Sequence, residues 1–266
     1  MKKFLYVFSA LALLFASCSS DSDSDNTADN SSSATLIKKI IYSSENADPG
    51  DYYNSTILYS YNGTKLTRAD YSVGGYAMYY YTGDLITKIE YYTDLNTLIY
   101  QDLFEYNETD ALVVYKKRDD ETERTTTYTY NADNTVSFTR ETEDLIGNAN
   151  YATYTGTLQL QDGEVVEKSM SGGVINYTRV SSFDGKNSPF KNVTGFSKIA
   201  FEVAGEYESF GRSQNRISYA LSSNEAVTDN TTYVYNATNY PISSVLNSDS
   251  DGMGSQDVIN AQYFYE

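Results

Sequence analysis

Tyr59-Ser60-Tyr61-Asn62-Gly63-Thr64-Lys65-Leu66-Thr67 reads as the tip of a β-hairpin. Tyr59 and Tyr61 stand two residues apart, so they share one face of a strand while Ser60 takes the other. Asn-Gly supplies the positive φ that a tight turn between strands needs, and Lys65-Leu66-Thr67-Arg68 begins the return. The unit then recurs as Tyr79-Tyr80-Tyr81-Thr82-Gly83, Phe104-Glu105-Tyr106-Asn107, Tyr128-Thr129-Tyr130-Asn131 and Tyr233-Val234-Tyr235-Asn236. Weaker copies precede Asp162-Gly163 and Asp184-Gly185, and Tyr263-Phe264-Tyr265 ends the chain.

The second aromatic falls at 61, 81, 106 and 130, intervals of 20, 25 and 24 residues. Two strands of about eight residues and two turns fill such an interval. Tyr is 28 of the 266 residues and only three prolines interrupt the chain, a composition that favours strands. The expected fold is all-β: residues 36–266 form one antiparallel meander of about 15–17 strands built from repeated hairpins. The repeat admits either a curled sheet or a barrel-like shell. The repeat lapses between Ser188 and Asn215, where a short helix or a long loop is expected.

The pattern Tyr-x-Tyr-Asn-Gly-x-Lys-Leu-Thr resembles the YD-type hairpin repeat of RHS-like proteins and of many Bacteroidota lipoproteins. Two further stretches are similar to the lipoprotein branch: Phe183-Asp184-Gly185-Lys186-Asn187-Ser188-Pro189-Phe190, and Tyr235-Asn236-Ala237-Thr238-Asn239-Tyr240-Pro241. The resemblance implies a long curled antiparallel sheet and no activity, because its motifs specify turns and carry no catalytic residue.

Residues 1–17 read as a lipoprotein signal peptide. Lys2 and Lys3 precede an apolar run from Phe4 to Phe15, broken only by Ser9 and too short to span a bilayer as a helix. Ala16 and Ser17 put small side chains before Cys18, a pattern that resembles the bacterial lipobox, with Phe15 where Leu is usual. Cys18 is the one cysteine of the chain and the expected lipid attachment site. Its acylation leaves no thiol for disulfides, redox or nucleophilic chemistry, and several acyl chains make a stable anchor. Residues 18–35 continue as an acidic Ser/Asp/Asn tether that cannot bury enough apolar surface to order itself. An acidic run after the lipidated Cys also resembles the surface-export signal of Bacteroidota lipoproteins. The expected location is the outer membrane of a Gram-negative bacterium, on the cell surface.

The formal charge is −17, and loss of Lys2 and Lys3 with the leader makes it −19. Such a chain repels phosphate backbones, so no nucleic-acid partner is expected. With no His, the Ser-His-Asp and Cys-His nucleophile systems and His-based metal sites are absent. Asn247-Ser248-Asp249-Ser250-Asp251-Gly252 copies the front half of a calcium loop, but Val258 stands where the bidentate Glu belongs. No metal or cofactor is assigned, and no catalytic residue.

The paired aromatics admit two readings: the core of a Trp-free sheet, which we expect, or a platform on which sugar rings stack. An integral outer-membrane barrel needs one apolar face along each strand. Ala111-Val113-Tyr115-Lys117 and Leu112-Val114-Lys116-Arg118 both end in charge, so a soluble sheet is the better fit. The function expected is a non-enzymatic binding or structural lipoprotein, with a glycan or another envelope protein as partner. The alternative is a carbohydrate-active enzyme using a carboxylate pair that nothing in the sequence marks. Cys18→Ala should abolish lipid labelling and leave the precursor uncleaved by lipoprotein signal peptidase; lipid label persisting in that variant would overturn the anchor.

Overall fold

The structure, a computed structural model, describes residues 34–44, 54–147, 150–173, 175–203, 211–222, 227–249 and 257–266. Its first strands are β1 (Ile37–Ser44), β2 (Thr56–Asn62), β3 (Lys65–Tyr71) and β4 (Tyr76–Thr82). They continue as β5 (Leu85–Tyr92), β6 (Leu98–Tyr106), β7 (Leu112–Arg118) and β8 (Thr122–Tyr130). Next come β9 (Thr135–Asp144), β10 (Asn150–Gln161), β11 (Glu164–Gly172) and β12 (Ile175–Asn187). One helix, α1 (Phe196–Val203), precedes β13 (Gln214–Ser222), β14 (Val227–Tyr235), β15 (Pro241–Asp249) and β16 (Asp257–Tyr265). Each strand pairs antiparallel with its sequence neighbours, and β1 pairs with β16 to close a sixteen-strand barrel. The expected meander is therefore present, and its closure is complete.

The repeated sequence unit carries a repeated irregularity. Leu66 lies opposite Tyr61 but Arg68 lies opposite Ser60, so Thr67 is an extra residue on the return strand. Thr87, Val113, Val166 and Ile242 are the extra residues of four other hairpins. Such a bulge shifts the inward face by one position. Buried residues on the return strands are accordingly three apart at the bulge: Leu66 and Ala69, Ile86 and Ile89, Leu112 and Tyr115. The Thr67 hydroxyl donates to the Ser60 carbonyl at 2.9 Å, which holds the bulge in place.

At the first hairpin the turn is one residue later than Asn62-Gly63. Asn62 pairs with Lys65, leaving Gly63-Thr64 as the loop, and only Gly63 has positive φ, at 59°. Glycine at the first central position is the type II′ arrangement. Asp162-Gly163, with φ of 52° and 83°, has the two positive values of a type I′ turn.

Both aromatics of each unit point inward, with different roles. Tyr59, Phe104 and Tyr128 are buried in the core, as expected of the first member. The second members act as latches between hairpins. Tyr61 donates to the Ile37 carbonyl at 2.7 Å, Tyr106 to Ile86 at 2.6 Å and Tyr130 to Leu112 at 3.1 Å. Tyr265 does the same to Pro241 at 2.9 Å. Tyr81 takes the equivalent place beside Leu66, its hydroxyl buried without a hydrogen bond of normal geometry. The hydroxyls of Tyr61, Tyr106, Tyr130 and Tyr265 thus each satisfy a carbonyl of the neighbouring hairpin.

That end is plugged by the segment in which the repeat lapses. Phe190 stacks on Phe196 at 4.5 Å and meets the Tyr59 ring edge-on at 5.4 Å. Val193, Phe196, Ile199 and Ala200 are buried with them. The Thr194 amide donates to the Thr64 carbonyl, and the Asn192 amide nitrogen reaches both the Thr35 carbonyl and the Tyr240 hydroxyl. Gly195, at φ 77°, lies so close to the Asp84 carbonyl and Ile86 that a Cβ would collide with them. After the helix the chain is clasped again: buried Glu164 accepts the backbone N–H groups of Arg212, Ser213 and Gln214 at 2.6–3.0 Å.

Outward positions are predominantly polar. Those of β8 are Glu123, Thr125, Thr127 and Thr129, and those of β10 are Thr153, Thr155, Thr157 and Gln159. The apolar exceptions, such as Leu58, Val245 and Phe264, are separated by Lys39, Asn260 and Gln262. Tyr59→Ala should lower stability by about 3–5 kcal/mol, as for other buried aromatics. Leu58→Ala, one residue away on the half-exposed outer face, should cost under about 1 kcal/mol. Denaturant midpoints decide this, and equal losses would mean the faces have been misassigned.

Candidate binding cup

A barrel plugged at one end and apolar inside is a cup, and its interior changes character with depth. The floor is Ile37, Leu66, Ile86, Leu112 and Val136 with Phe190, Phe196 and Ile199 from the plug, all buried. Further from the plug, inward side chains become larger, more polar and partly exposed: Tyr91, Tyr100, Tyr154, Tyr177 and Tyr219 retain access to solvent. Alternation along the strands, corrected for the bulges, also turns Lys117, Arg124, Arg140, Lys168, Arg179 and Arg216 inward.

On one wall, Tyr91 stacks on Tyr100 at 4.1 Å, and the Lys117 ammonium lies 4.2 Å from the Tyr100 ring. Tyr115 donates to the buried Asp102 carboxylate at 2.9 Å, and Arg140 Nε to the Thr126 hydroxyl at 3.0 Å. On the wall formed by β12–β14, the guanidiniums of Arg179 and Arg216 lie 5.6 Å and 5.1 Å from the Tyr219 ring. These are cation–π distances. Nearby Asp229 already accepts the Ser248 hydroxyl at 2.5 Å. Burial, and then the proximity of Arg179, lower the Arg216 pKa from its usual value, with Asp229 opposing. The two mid-strand inward acids, Asp102 on β6 and Asp229 on β14, are eight strands apart in either direction around the ring.

A second concavity lies on the outer surface of β8–β12 and holds about 520 Å³. Its side chains form two hydroxyl rows, Thr127-Thr139-Thr155-Ser171 and Thr129-Ser137-Thr157-Ser169, with Asn176 at one end. Gly156 lies in its floor, and the Phe138 ring occupies the space a side chain there would need inside the barrel. The lining is wholly uncharged.

Cys18 and the tether fall outside the described residues. Asn247, Ser248 and Asp249 of the calcium-like run belong to β15, and the rest of that run is also outside them. Among the described residues no group of three or more metal-ligating side chains comes together. The repeat aromatics expected to form a core do so, apart from Tyr130, which is 42% exposed. The cup-lining Arg179, Arg216 and Tyr219 were not singled out by the sequence. Strict alternation puts Arg216 and Tyr219 on opposite faces, and the extra Ile217 of a bulge brings them to the same one.

No protein-family model and no curated protein sequence matches the chain. Two solved structures resemble it. A porin-like protein from Bacteroides vulgatus superposes with TM-score 0.57 at 11% identity, covering 87% of this chain and 99% of that one. A porin-like protein from Bacteroides uniformis gives TM-score 0.50 at 14% identity, covering 86% and 96%. At these identities the likeness establishes a shared barrel fold.

Burial holds the phenols of Tyr61, Tyr79, Tyr81, Tyr91, Tyr106 and Tyr265 well above their ordinary value near 10. The folded state therefore keeps these protons when the unfolded chain has lost them. Their contribution is complete below pH of about 10 and is lost as pH rises through the higher folded values. Alkaline titration should show a first group of exposed tyrosines ionising near pH 10. The remainder should ionise only with cooperative unfolding, read by tyrosinate absorbance beside circular dichroism. Ionisation of every tyrosine before any loss of structure would contradict this.

Proposed function

We propose that this chain is an exported, lipid-tethered outer-membrane protein, built on YD-type hairpins, whose barrel is a non-enzymatic cup that takes a glycan. The observation that carries the reading is the gradient inside the barrel: a packed apolar floor beneath a solvent-accessible wall of tyrosines with cations against their rings. Aromatic rings offer apolar faces to sugar rings, and phenols and guanidiniums offer hydrogen bonds to sugar oxygens. Anchoring through Cys18 supplies the membrane contact, and the barrel itself stands in water. A second reading, a pore, is suggested by the porin-like proteins that share the fold. A spanning barrel carries an outward apolar band about 25 Å tall. On β8–β10 the corresponding positions hold Thr, Ser, Gln and Glu, elsewhere the outward apolar residues such as Leu58, Val180 and Val234 alternate with polar ones, and the plug fills one end.

A glycan array probed with the mature chain should give hits that Tyr219→Ala weakens at least tenfold without lowering thermal stability by more than a few degrees. The same preparation should give no unitary conductance in planar bilayers. Reproducible conductance steps would favour the pore, and an array blank for neutral and acidic glycans alike would overturn the glycan reading.

A further inference from the structure

The chain has 36 acidic residues against 19 basic ones, yet among the described residues the inward positions above the floor hold more cations than carboxylates. Six cations point inward there. Four carboxylates do so, Asp102 and Asp229 in mid-strand and Asp144 and Asp257 at strand ends by the mouth. The outward acids Glu90, Glu123, Glu141 and Glu167 lie on the other face of the same sheet. The segregation is sharpest at β12–β14. Arg179 and Arg216 flank Tyr219, and among the described residues neither guanidinium is within ion-pair distance of a carboxylate. Two like charges beside one ring in a partly desolvated wall repel each other, and each has lost part of its hydration. An anion between them removes the repulsion and accepts hydrogen bonds from both planar groups. Ser181, buried on the neighbouring strand opposite Tyr219, and the Asp229–Ser248 pair bound the space without filling it with another cation.

We propose that the Arg179–Tyr219–Arg216 clamp binds the carboxylate of an acidic oligosaccharide, the sugar ring carrying that carboxylate lying against Tyr219. This rests on the glycan-cup reading and names its ligand class. Tyr supplies the sugar face and the two arginines select charge. Neutral sugars satisfy the first and bring no anion to the two guanidiniums beyond Asp229, so discrimination comes from the guanidiniums.

The test compares tetragalacturonate with maltotetraose on the mature chain by isothermal titration calorimetry. Tetragalacturonate should bind at least tenfold more tightly than maltotetraose, and the difference should shrink on raising salt. Arg216→Gln and Arg179→Gln should each reduce the preference for the acidic sugar about tenfold. Neither should change maltotetraose affinity more than twofold. The pair of variants guards against one of them failing to fold, which circular dichroism monitors. Equal affinity for the two sugars, unchanged in either variant, overturns the acidic preference and leaves the glycan cup standing. Binding of neither sugar overturns the clamp's ligand class, and the glycan array then decides the cup by itself.

Discussion

Everything in this barrel depends on the seam between β1 and β16. Every other pair joins strands consecutive in sequence, whereas Ile40 meets Tyr263 across more than two hundred residues of chain. Closing a loop of that length costs about 3–4 kcal/mol more entropy than closing a four-residue hairpin loop. The seam offsets this with a paired row from Ile37 to Ser44 and with the buried Ile37, Ile40, Ile259, Ala261 and Tyr263. Without it, two strands would expose a full row of unpaired amides and carbonyls, the edge that sheets are otherwise obliged to protect. The Leu36 and Glu266 backbones bond to each other just beyond the seam, so closure extends to both ends of the described domain.

Once the ring is closed, the interior must be filled at one end or remain wet throughout. A ring of sixteen strands encloses more space than its own inward side chains can fill. The plug solves this at the turn end only. Its Phe190–Phe196 stack meets Tyr59, its Thr194 bonds Thr64, and Glu164 fixes the chain where it returns to the wall. Latch tyrosines such as Tyr61 and Tyr106 belong to the same solution, each satisfying a carbonyl of its neighbour. Because these groups sit at one end, the inward polar side chains of the other end stay partly exposed. The cup is thus a consequence of an asymmetric filling.

The hairpins were legible because their turns demand particular residues: Gly63, Gly83 and Gly163 all have positive φ where the sequence placed a turn. Strand number was legible from the repeat interval. The bulges were not. Strict alternation put Tyr115 with Val113 and Lys117, whereas the extra Val113 puts Tyr115 on the face of Leu112. The only local signal was the spacing of three between large apolar residues, as in Leu66 and Ala69. Nor could the sequence tell a curled sheet from a closed ring, since that distinction lies in the long-range register of Ile40 with Tyr263. The cup lining was illegible for both reasons together: a bulge hides the parity of Arg216, and closure alone brings β12–β14 around to face the other wall.

Charge segregation joins the fold to its proposed use. The net charge of −17 makes one copy of the chain repel another. It also repels anionic ligands, but at physiological ionic strength that field decays over about 8 Å, less than the depth of a strand of nine residues. Deeper than Asp144 and Asp257 at the strand ends, most inward charges are arginines and lysines, in surroundings where less water screens them. The sheet is one layer thick, and alternation places an acid outside and a cation inside within two successive residues, as at Glu167 and Lys168. The same periodicity of two that keeps apolar residues off the outer surface therefore sorts the charges as well.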